Sequence, residues 1–198
     1  MSASAPNVGP APNMPQSVMD AAKLPAKITD KYVLFFGYEL PEPASTFQQW
    51  YPSLFVDPDS QDDAGKPLSF PTAEHYMMYF KAVLMDDAET AANILACKTP
   101  AEAKTFGRQV KNFNQKVWDD NCDYVVQKGS YLKFSQIKEC KEALLGTRDR
   151  ILVEASPNDR IWGIGYNCED AIGKESDWGL NKLGRALMLA RDRLREEA

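Results

Sequence analysis

The sequence has few of the residues that bind metals or form disulfides. Its 198 residues include one histidine and four cysteines, and no two cysteines form a Cys-x-x-Cys pair. Structural zinc sites take their ligands from closely spaced Cys and His, so we expect no metal, and the chemistry considered below needs no other cofactor. The separated cysteines are typical of reduced, partly buried thiols in a cytosolic or nuclear protein.

An excess of positive charge and long apolar runs are also missing. Lys and Arg number 23 against 28 Asp and Glu, which gives a net charge of −5. This argues against broad electrostatic binding to nucleic acid or acidic membranes, although a small cluster of Lys and Arg is enough to hold one phosphate or pyrophosphate. The longest apolar run, residues 76–85, is interrupted by Lys81 and is too short to cross a bilayer. No stretch resembles a signal peptide, so we expect no membrane association.

The composition is able to build a core. Hydrophobic residues make up 44%, with 4 Trp, 8 Tyr and 9 Phe, and a chain of this length suffices for one domain. Residues 1–27 are instead rich in Pro, Ala, Ser and Asn, which predicts a flexible tail before a domain at 28–198. A mitochondrial presequence is the alternative for the tail, but the segment contains no Arg, and its only lysines are Lys23 and Lys27.

Strand signals come first in the predicted domain. The aromatic and β-branched run at residues 32–36 predicts a strand. Residues 54–56 and 68–70 predict an antiparallel hairpin, with turn-forming residues throughout 57–66. A further short, buried strand is expected at residues 151–155.

Helices are predicted for much of the remainder. Thr99 and Glu102 flank a proline at the first helical position, and this pattern is a capping box. Other helices are expected to start at Asp86 or Asp87 and at Asn114, and spaced leucines between 180 and 194 form the apolar stripe of a final helix. The alternation of bulky residues with glycine at 161–166 indicates backbone packed closely on a neighbour or a ligand.

One stretch, residues 70–81, points to a functional site. Thr72 indicates a helix start, and the residues after it are apolar almost all round, as in a buried helix. Glu74 and Lys81 share one face of that helix with two methionines. Charges on a buried helix are costly unless they are paired or used, so we interpret Glu74 as a site residue; the alternative is an acid placed favourably at a helix N-terminus. His75 is predicted to satisfy a buried backbone group and not to be a general base.

Several stretches resemble, in the same order, the motifs of the NADAR, or YbiA-like, family. Along the chain they are FQQWYPSLF at 47–55, PTAEHY at 71–76 with the following Lys81, FGR at 106–108, Trp118, LVE at 152–154 with NDRIWGIG at 158–165, and GLNKLG at 179–184. The resemblance covers roughly residues 31–195. The sequence departs from the family pattern at Leu54, usually a proline, at Gln49, often an asparagine, and at Ile164, where some bacterial members have an acid. A role of that acid is therefore not carried over.

The resemblance implies an α+β fold, a mainly helical single domain with a small antiparallel sheet, and N-glycosidase activity. Activities known for the family include removal of ADP-ribose from guanine and hydrolysis of early, phosphorylated intermediates of riboflavin synthesis. The implied partner is a small-molecule or nucleobase-linked ADP-ribose substrate, which includes ADP-ribosylated nucleic acid. The motifs do not choose between these substrates, and we consider ADP-ribosyl-guanine first.

Cleavage of an N-glycosidic bond passes through an oxocarbenium-like transition state. It requires a carboxylate near the anomeric carbon, a surface that holds the departing base, and cations that position phosphate. Glu74 is the first candidate for the catalytic carboxylate. Glu154 and Asp159 are further catalytic candidates, with ion pairing and a local turn role as their respective alternatives. Trp162 is the candidate stacking platform; for it and for Trp118 the alternative is a core position.

The predicted substrate-binding residues are mostly aromatic or cationic: Gln49, Trp50, Tyr51, Tyr76, Lys81, Arg108, Trp118 and Asn181. Lys81 and Arg108 are the phosphate candidates, and the alternative for Lys81 is an ion pair with Glu74 or Glu154. Asn181 is expected either to cap a helix or to bind ribose.

Three hypotheses about function compete at this point. The first is an N-glycosidase, the second is a non-catalytic ADP-ribose-binding module with the same pocket, and the third is an interaction module whose aromatic motifs form only core. Release of a base during turnover distinguishes the first from the second. Stabilisation by a ligand distinguishes both from the third.

Overall fold

The computed structural model describes residues 26–37 and 43–197. Residues 1–25, most of the predicted tail, lie outside the described residues, so the tail and the domain boundary stay predictions. Lys27, the last residue of the predicted tail, begins the first strand.

Five strands and six α-helices are present in the described residues. The strands are β1 (Lys27–Ile28), β2 (Tyr32–Phe35), β3 (Phe55–Gln61), β4 (Pro67–Phe70) and β5 (Ile151–Glu154). The helices are α1 (Ala73–Leu84), α2 (Ala88–Ala96), α3 (Pro100–Arg108), α4 (Gln115–Gln136), α5 (Lys138–Gly146) and α6 (Lys182–Glu196), with short 3₁₀ helices at Ala44–Phe47 and Glu175–Asp177. The predicted class, a mainly helical α+β domain, is confirmed.

One sheet has three strands in the order β1-β2-β5. β1 is antiparallel to β2, whereas β2 is parallel to β5 and pairs Phe35 with Glu154. All four residues of β2 are buried, as is usual for a parallel strand covered on both faces. This parallel pair joins segments more than a hundred residues apart and is not among the predicted pairings.

The second sheet is the predicted antiparallel hairpin of β3 and β4. β3 continues to Gln61, into the stretch that local sequence predicts as a turn. Asp57 is fully buried there, accepts a hydrogen bond from the Tyr76 hydroxyl at 3.1 Å and pairs with the Lys128 ammonium at 3.1 Å. These tertiary contacts outweigh the turn preference of the residues around Asp57, and the pairing is irregular between Asp57 and Gln61.

The helices start where capping residues predict. Thr72, Asp87 and Asn114 each accept a hydrogen bond from the backbone N–H three residues later. Thr99 and Glu102 form the predicted capping box, with proline at the first helical position. None of the helices in the described part of the chain is both long and apolar enough to cross a membrane.

The main core lies between the three-stranded sheet and helices α1, α4 and α6. It includes Phe35 and Leu152 from the sheet, Met77 from α1, Phe134 from α4 and Leu187 from α6. Because β2 and β5 are parallel, both strands end at the same edge of the sheet. Residues that follow these ends therefore lie beside the N-terminal part of α1, where a cavity opens.

Candidate active site

The cavity has a volume of about 560 Å³, within the range of roughly 300–1,000 Å³ usual for small-molecule sites. Its lining comes from the ends of β2 and β5, the loop before β3, one face of α1 and of α3, and the loop that leads to α6. The lining residues are Phe36, Gly37, Gln48, Gln49, Trp50, Glu74, Met77, Met78, Lys81, Lys104, Arg108, Trp118, Glu154, Ser156, Asn158, Asp159, Trp162 and Leu183. All four predicted catalytic residues and five of the predicted binding residues are in this set.

Helix α1 presents the face that its spacing predicts. Glu74, Met77, Met78 and Lys81 all line the cavity. Glu74 is only 4% exposed, and its backbone N–H donates to the carbonyl of Gln49 at 3.0 Å. The first turn of α1 is thereby joined to the loop that supplies the opposite side of the cavity.

Two opposed effects act on the ionisation of Glu74. Burial raises the pKa of this carboxyl above its ordinary value. Lys104, a hydrogen bond from the Trp50 side chain, Arg108 and Lys81 lower it, in that order. Burial is the largest of these effects, so the pKa of Glu74 stays raised, and the cations offset the effect of burial only in part.

Glu154 is the last residue of β5, and its charged neighbours are mainly acids, whereas those of Glu74 are cations. Its residue is partly exposed, but the oxygen Oε2 is buried. Burial raises its pKa to about 8, and the nearby negative charges of Asp159 and Glu74 act in the same direction. Only Lys104 opposes them, so Glu154 is protonated at neutral pH.

The backbone of Glu154 is held by Asn181. Asn181 Oδ1 accepts from the Glu154 N–H at 3.0 Å, and Asn181 Nδ2 donates to the carbonyl of Leu152 at 2.8 Å. Asn181 has a left-handed backbone conformation with a φ of 49° and makes no side-chain cap bond with α6. Asn181 thus occupies the predicted cap position, with its carbonyl accepting from the Arg185 N–H at 3.0 Å, but its side chain bonds to β5 and does not cap the helix. Its ribose-binding role stays a prediction.

Three buried polar atoms around the cavity have no hydrogen-bond partner among the described residues. They are Gln48 Nε2, Glu74 Oε1 and Glu154 Oε2. Buried polar groups in native proteins are almost always paired, because an unpaired one costs about 1–3 kcal/mol. Three such atoms around one cavity are available to hydrogen-bond a bound molecule or water.

The cations line one side of the cavity. Lys81 Nζ donates to the carbonyl of Gly107 at 2.7 Å and lies over the rings of Phe113, at 4.5 Å, and Trp118, at 5.9 Å. Its ammonium is thus held by a carbonyl and two rings rather than by the ion pair that was the alternative to a phosphate role. Burial lowers the pKa of Lys81, as does the neighbouring charge of Arg108. Arg108 itself is exposed on α3.

Lys104 is a cavity residue that the sequence interpretation missed. It precedes Arg108 by one helical turn on α3, and its ammonium lies 5.7 Å from the centre of the Trp50 ring. Its spacing of four residues from Arg108 is the signal that would have placed it on the same face. Gln48, Ser156 and Asn158 were also missed, since they are polar loop residues without a periodic pattern.

Trp162 is a half-buried wall of the cavity, and its loop is tightly folded. Asp159 Oδ1 accepts from the backbone N–H groups of Ile161 and Trp162, both at 2.8 Å. A Cβ on Gly163 would lie 2.8 Å from the carbonyl of Glu154, which confirms the close backbone approach predicted from the glycines. Asp159 therefore has the predicted local role in the turn, and in addition it raises the pKa of Glu154.

Like Asn181, the predicted binding residues Tyr51 and Tyr76 lie outside the cavity lining. Tyr76 is on another face of α1 from Glu74, is 1% exposed and bonds to Asp57 within the core. Tyr51 packs against the main core, with the Lys133 ammonium 5.2 Å from its ring centre. His75 is also buried away from the cavity, with Nδ1 bonded to the Thr72 hydroxyl at 2.8 Å.

The sequence of this chain is similar to those of proteins named N-glycosidases. The sequence pattern of the NADAR domain matches residues 35–195. An N-glycosidase of Acanthamoeba polyphaga mimivirus is 38% identical over 167 residues, which cover 83% of this chain and 96% of that protein. The riboflavin biosynthesis protein PYRR, chloroplastic, of Zea mays is 34% identical over 140 residues, 67% of this chain but only 21% of that protein. The NMR structure of the Escherichia coli protein YbiA superposes with a TM-score of 0.66 at 26% identity, covering 89% of this chain and 92% of that one.

Proposed function

Because this chain belongs to the NADAR domain family, we propose that it hydrolyses the N-glycosidic bond of a phosphorylated ribosyl compound. The relatives named N-glycosidases support the predicted enzyme class, a hydrolase that acts on N-glycosyl compounds. The observation that carries the proposal is a pair of carboxyl groups, Glu74 and Glu154, in one cavity with unlike electrostatic surroundings. Burial raises the pKa of both groups, but the neighbouring cations lower that of Glu74 while neighbouring acids raise that of Glu154 further, a contrast suited to separate acid and base roles.

Glu154 is the proton donor in this mechanism. It is protonated at neutral pH and gives its proton to a nitrogen of the base as the bond from that base to the anomeric carbon breaks. Departure of a neutral base avoids the cost of releasing an anion. Asn181 fixes the backbone from which this carboxyl projects.

Glu74 acts on the sugar. In its charged form, which Lys104, Arg108 and Lys81 favour, it stabilises the positive charge that develops at the anomeric carbon. It then accepts a proton from the water that adds to that carbon. Return of this proton through water to Glu154 restores both groups, so the net reaction consumes one water and yields a free sugar hydroxyl and a free base.

The remaining cavity residues fit the other parts of such a substrate. Trp162 and Trp50 offer ring surfaces for the base or the sugar. Lys81, Lys104 and Arg108 form a group of three positive charges suited to phosphate. These assignments are part of the proposal and are tested below.

We propose ADP-ribosyl-guanine as the first substrate, either free or within ADP-ribosylated nucleic acid. A pyrophosphate offers more acceptor oxygens than a single phosphate, and the three cations of the cavity are suited to bind them. A second candidate is a phosphorylated ribosylaminopyrimidine of riboflavin synthesis, which the similarity to the riboflavin biosynthesis protein of Zea mays favours.

The experiment is a turnover assay with both substrates. The protein is incubated with ADP-ribosyl-guanine and, separately, with a ribosylaminopyrimidine phosphate, and the released base is quantified by chromatography. We expect release of base from at least one substrate, and the Glu74→Gln variant is the control. Binding of ADP-ribose without release of base from either substrate would contradict the proposal and favour a non-catalytic binding module.

A further inference from the structure

Gln48 is a cavity residue to which the mechanism above gives no role. It follows the 3₁₀ helix Ala44–Phe47 and is 7% exposed. Its side-chain nitrogen Nε2 is buried, and no described residue accepts a hydrogen bond from it. The cavity thus holds a neutral hydrogen-bond donor for which no residue in 26–37 or 43–197 provides an acceptor.

The backbone of Gln48 is, in contrast, firmly held. Lys133 on α4 is 1% exposed, and its ammonium donates to the carbonyls of Thr46, at 2.6 Å, and of Gln48, at 2.9 Å. The Gln48 N–H donates to the carbonyl of Ser45 at 3.1 Å, and the Gln48 carbonyl also accepts from Tyr51 at 3.3 Å. The buried Lys133 ammonium therefore hydrogen-bonds loop carbonyls, and this fixes the position from which the Gln48 side chain projects.

The neighbours of Gln48 indicate the kind of acceptor that it lacks. In the proposed function, Lys81, Lys104 and Arg108 bind phosphate, and Glu74 and Glu154 act on the atoms whose charge changes in the reaction. A neutral amide N–H pairs with an uncharged oxygen at no cost in charge desolvation. Such oxygens in the proposed substrate are the carbonyl of the base and the hydroxyls of ribose.

We propose that Gln48 is a specificity-determining residue of this glycosidase, and that its Nε2 donates a hydrogen bond to an uncharged oxygen of the substrate, either the base carbonyl or a ribose hydroxyl. The inference rests on the proposed function. A site built to hydrogen-bond a substrate group rejects analogues that lack the group, because its own buried polar atom is then left unpaired.

A second glutamine provides a matched control. Gln136 lies outside the cavity, and its amide is paired at both ends with Val56: Nε2 donates to the carbonyl at 2.7 Å and Oε1 accepts from the N–H at 2.9 Å. Gln136→Leu removes bonds that the folded protein makes, whereas Gln48→Leu removes a donor that the folded protein leaves unused. The two variants therefore separate a role in folding from a role in binding.

The test compares Gln48→Leu and Gln136→Leu with the wild type in three measurements: kcat/KM for ADP-ribosyl-guanine, Kd for ADP-ribose and for free guanine by calorimetry, and melting temperature. We expect Gln48→Leu to lower kcat/KM by about 10-fold or more with an unchanged or higher melting temperature. A matching loss of affinity for ADP-ribose assigns the bond to ribose, and a loss for guanine assigns it to the base. Gln136→Leu is expected to lower only the melting temperature.

Two results for Gln48→Leu would overturn this inference without affecting the proposed function. One is wild-type kcat/KM and wild-type affinity for both products. The other is a loss of kcat/KM that comes with the lower melting temperature of Gln136→Leu and with unchanged product affinities. A wild-type protein that releases no base and binds neither product would instead overturn the proposed function, and this inference with it.

Discussion

The two sides of the cavity are built by different means and carry opposite charge. The helical wall, formed by α1 and α3, holds Glu74 together with Lys81, Lys104 and Arg108. The strand wall, formed by the end of β5 and the loop after it, holds Glu154 with Asp159 and Trp162. Burial acts on the carboxyl group of each wall, but only the helical wall supplies several compensating cations. Two similar side chains thus have different electrostatic surroundings, although burial raises the pKa of both.

This difference assigns the two roles in the proposed reaction. In the proposed reaction, the helical wall provides Glu74, which acts on the sugar, and the cations for phosphate. The strand wall provides the acid Glu154 and the ring of Trp162 for the departing base. Substitutions at Glu74, Glu154, Lys81 and Asn181 each remove one part of one wall.

The largest effect is expected for Glu74→Gln on the helical wall. The change keeps the shape but removes the charge, and we expect turnover to fall by roughly 10²–10⁴-fold. Affinity for ADP-ribose should change far less, since the interaction is made mainly in the transition state. Single-turnover rate, product Kd and melting temperature are measured on one preparation.

Glu102→Gln is the matched control for that change. Glu102 is an acid in the first turn of α3 that caps its own helix and does not line the cavity. Its loss should cost about 1 kcal/mol of stability or less and leave turnover intact. If Glu74→Gln behaves in the same way, Glu74 has only a helix-start role and the mechanism is wrong.

Glu154→Gln on the strand wall should lower kcat/KM by roughly 10²-fold, as expected for loss of a general acid. The pH profile is the sharper measurement. The wild-type kcat/KM should decline above about pH 8, where Glu154 loses its proton, and the variant should lack this decline. A wild-type profile that is flat from pH 7 to 9 would contradict the assignment.

The same group links folding to pH. The pKa of Glu154 is about 8 in the folded protein against an ordinary value of 4.5, so the folded state holds a proton that the unfolded state has released. The free energy of unfolding should therefore fall as pH rises from about 4.5 to about 8. Glu154→Gln should remove that part of the decline, which denaturant titrations of both proteins at several pH values can measure.

Lys81→Met removes a cation from the helical wall. We expect about 10-fold weaker binding of ADP-ribose and a smaller effect on ribosides without phosphate. Lys116→Met makes the same change at an exposed lysine paired with Asp120 and should have no effect. Equal losses for phosphorylated and unphosphorylated ligands would exclude a phosphate role for Lys81.

The smallest effect on activity is expected for Asn181→Gly, which releases the backbone of the strand wall. Glycine keeps the left-handed conformation, but the bonds to Leu152 and Glu154 are lost. We expect a loss of roughly 2 kcal/mol in stability and a few-fold lower kcat. Asn112→Gly is the control, because Asn112 has a φ of 54° and does not line the cavity. Wild-type kcat in Asn181→Gly would show that Glu154 needs no such support.

The helical wall was largely predictable from the sequence. The spacing of Glu74 and Lys81 fixes a shared helix face, and caps such as Thr72 fix where that face begins. Lys104 was missed, although its spacing of four residues from Arg108 predicts that both lie on the same helix face. Helical periodicity is local information, so a single sequence contains it.

The strand wall was not predictable in the same way. Its geometry depends on the parallel pairing of β2 with β5 and on Asn181 reaching back to Glu154, and neither contact leaves a local pattern. Motif resemblance identified Asn181 and Tyr76 as substrate-binding positions, whereas the contacts of both in the structure are with other residues of the protein. Each side chain is buried and hydrogen-bonded within the protein. The position of a residue in a motif does not show whether it binds substrate or supports the residues that do.

The parallel pairing of β2 with β5 also has a consequence for how the chain acquires its structure. β2 is synthesised early, but its partner on that edge begins only at Ile151. Closing so long a loop before any pairing energy is gained is entropically costly, and contacts of this sequence separation slow folding. During synthesis the helical wall can assemble while Glu154 is still missing. The cavity therefore cannot be complete before β5 is made, and a nascent chain that stops before β5 carries Glu74 and its neighbouring cations without the second acid, Glu154.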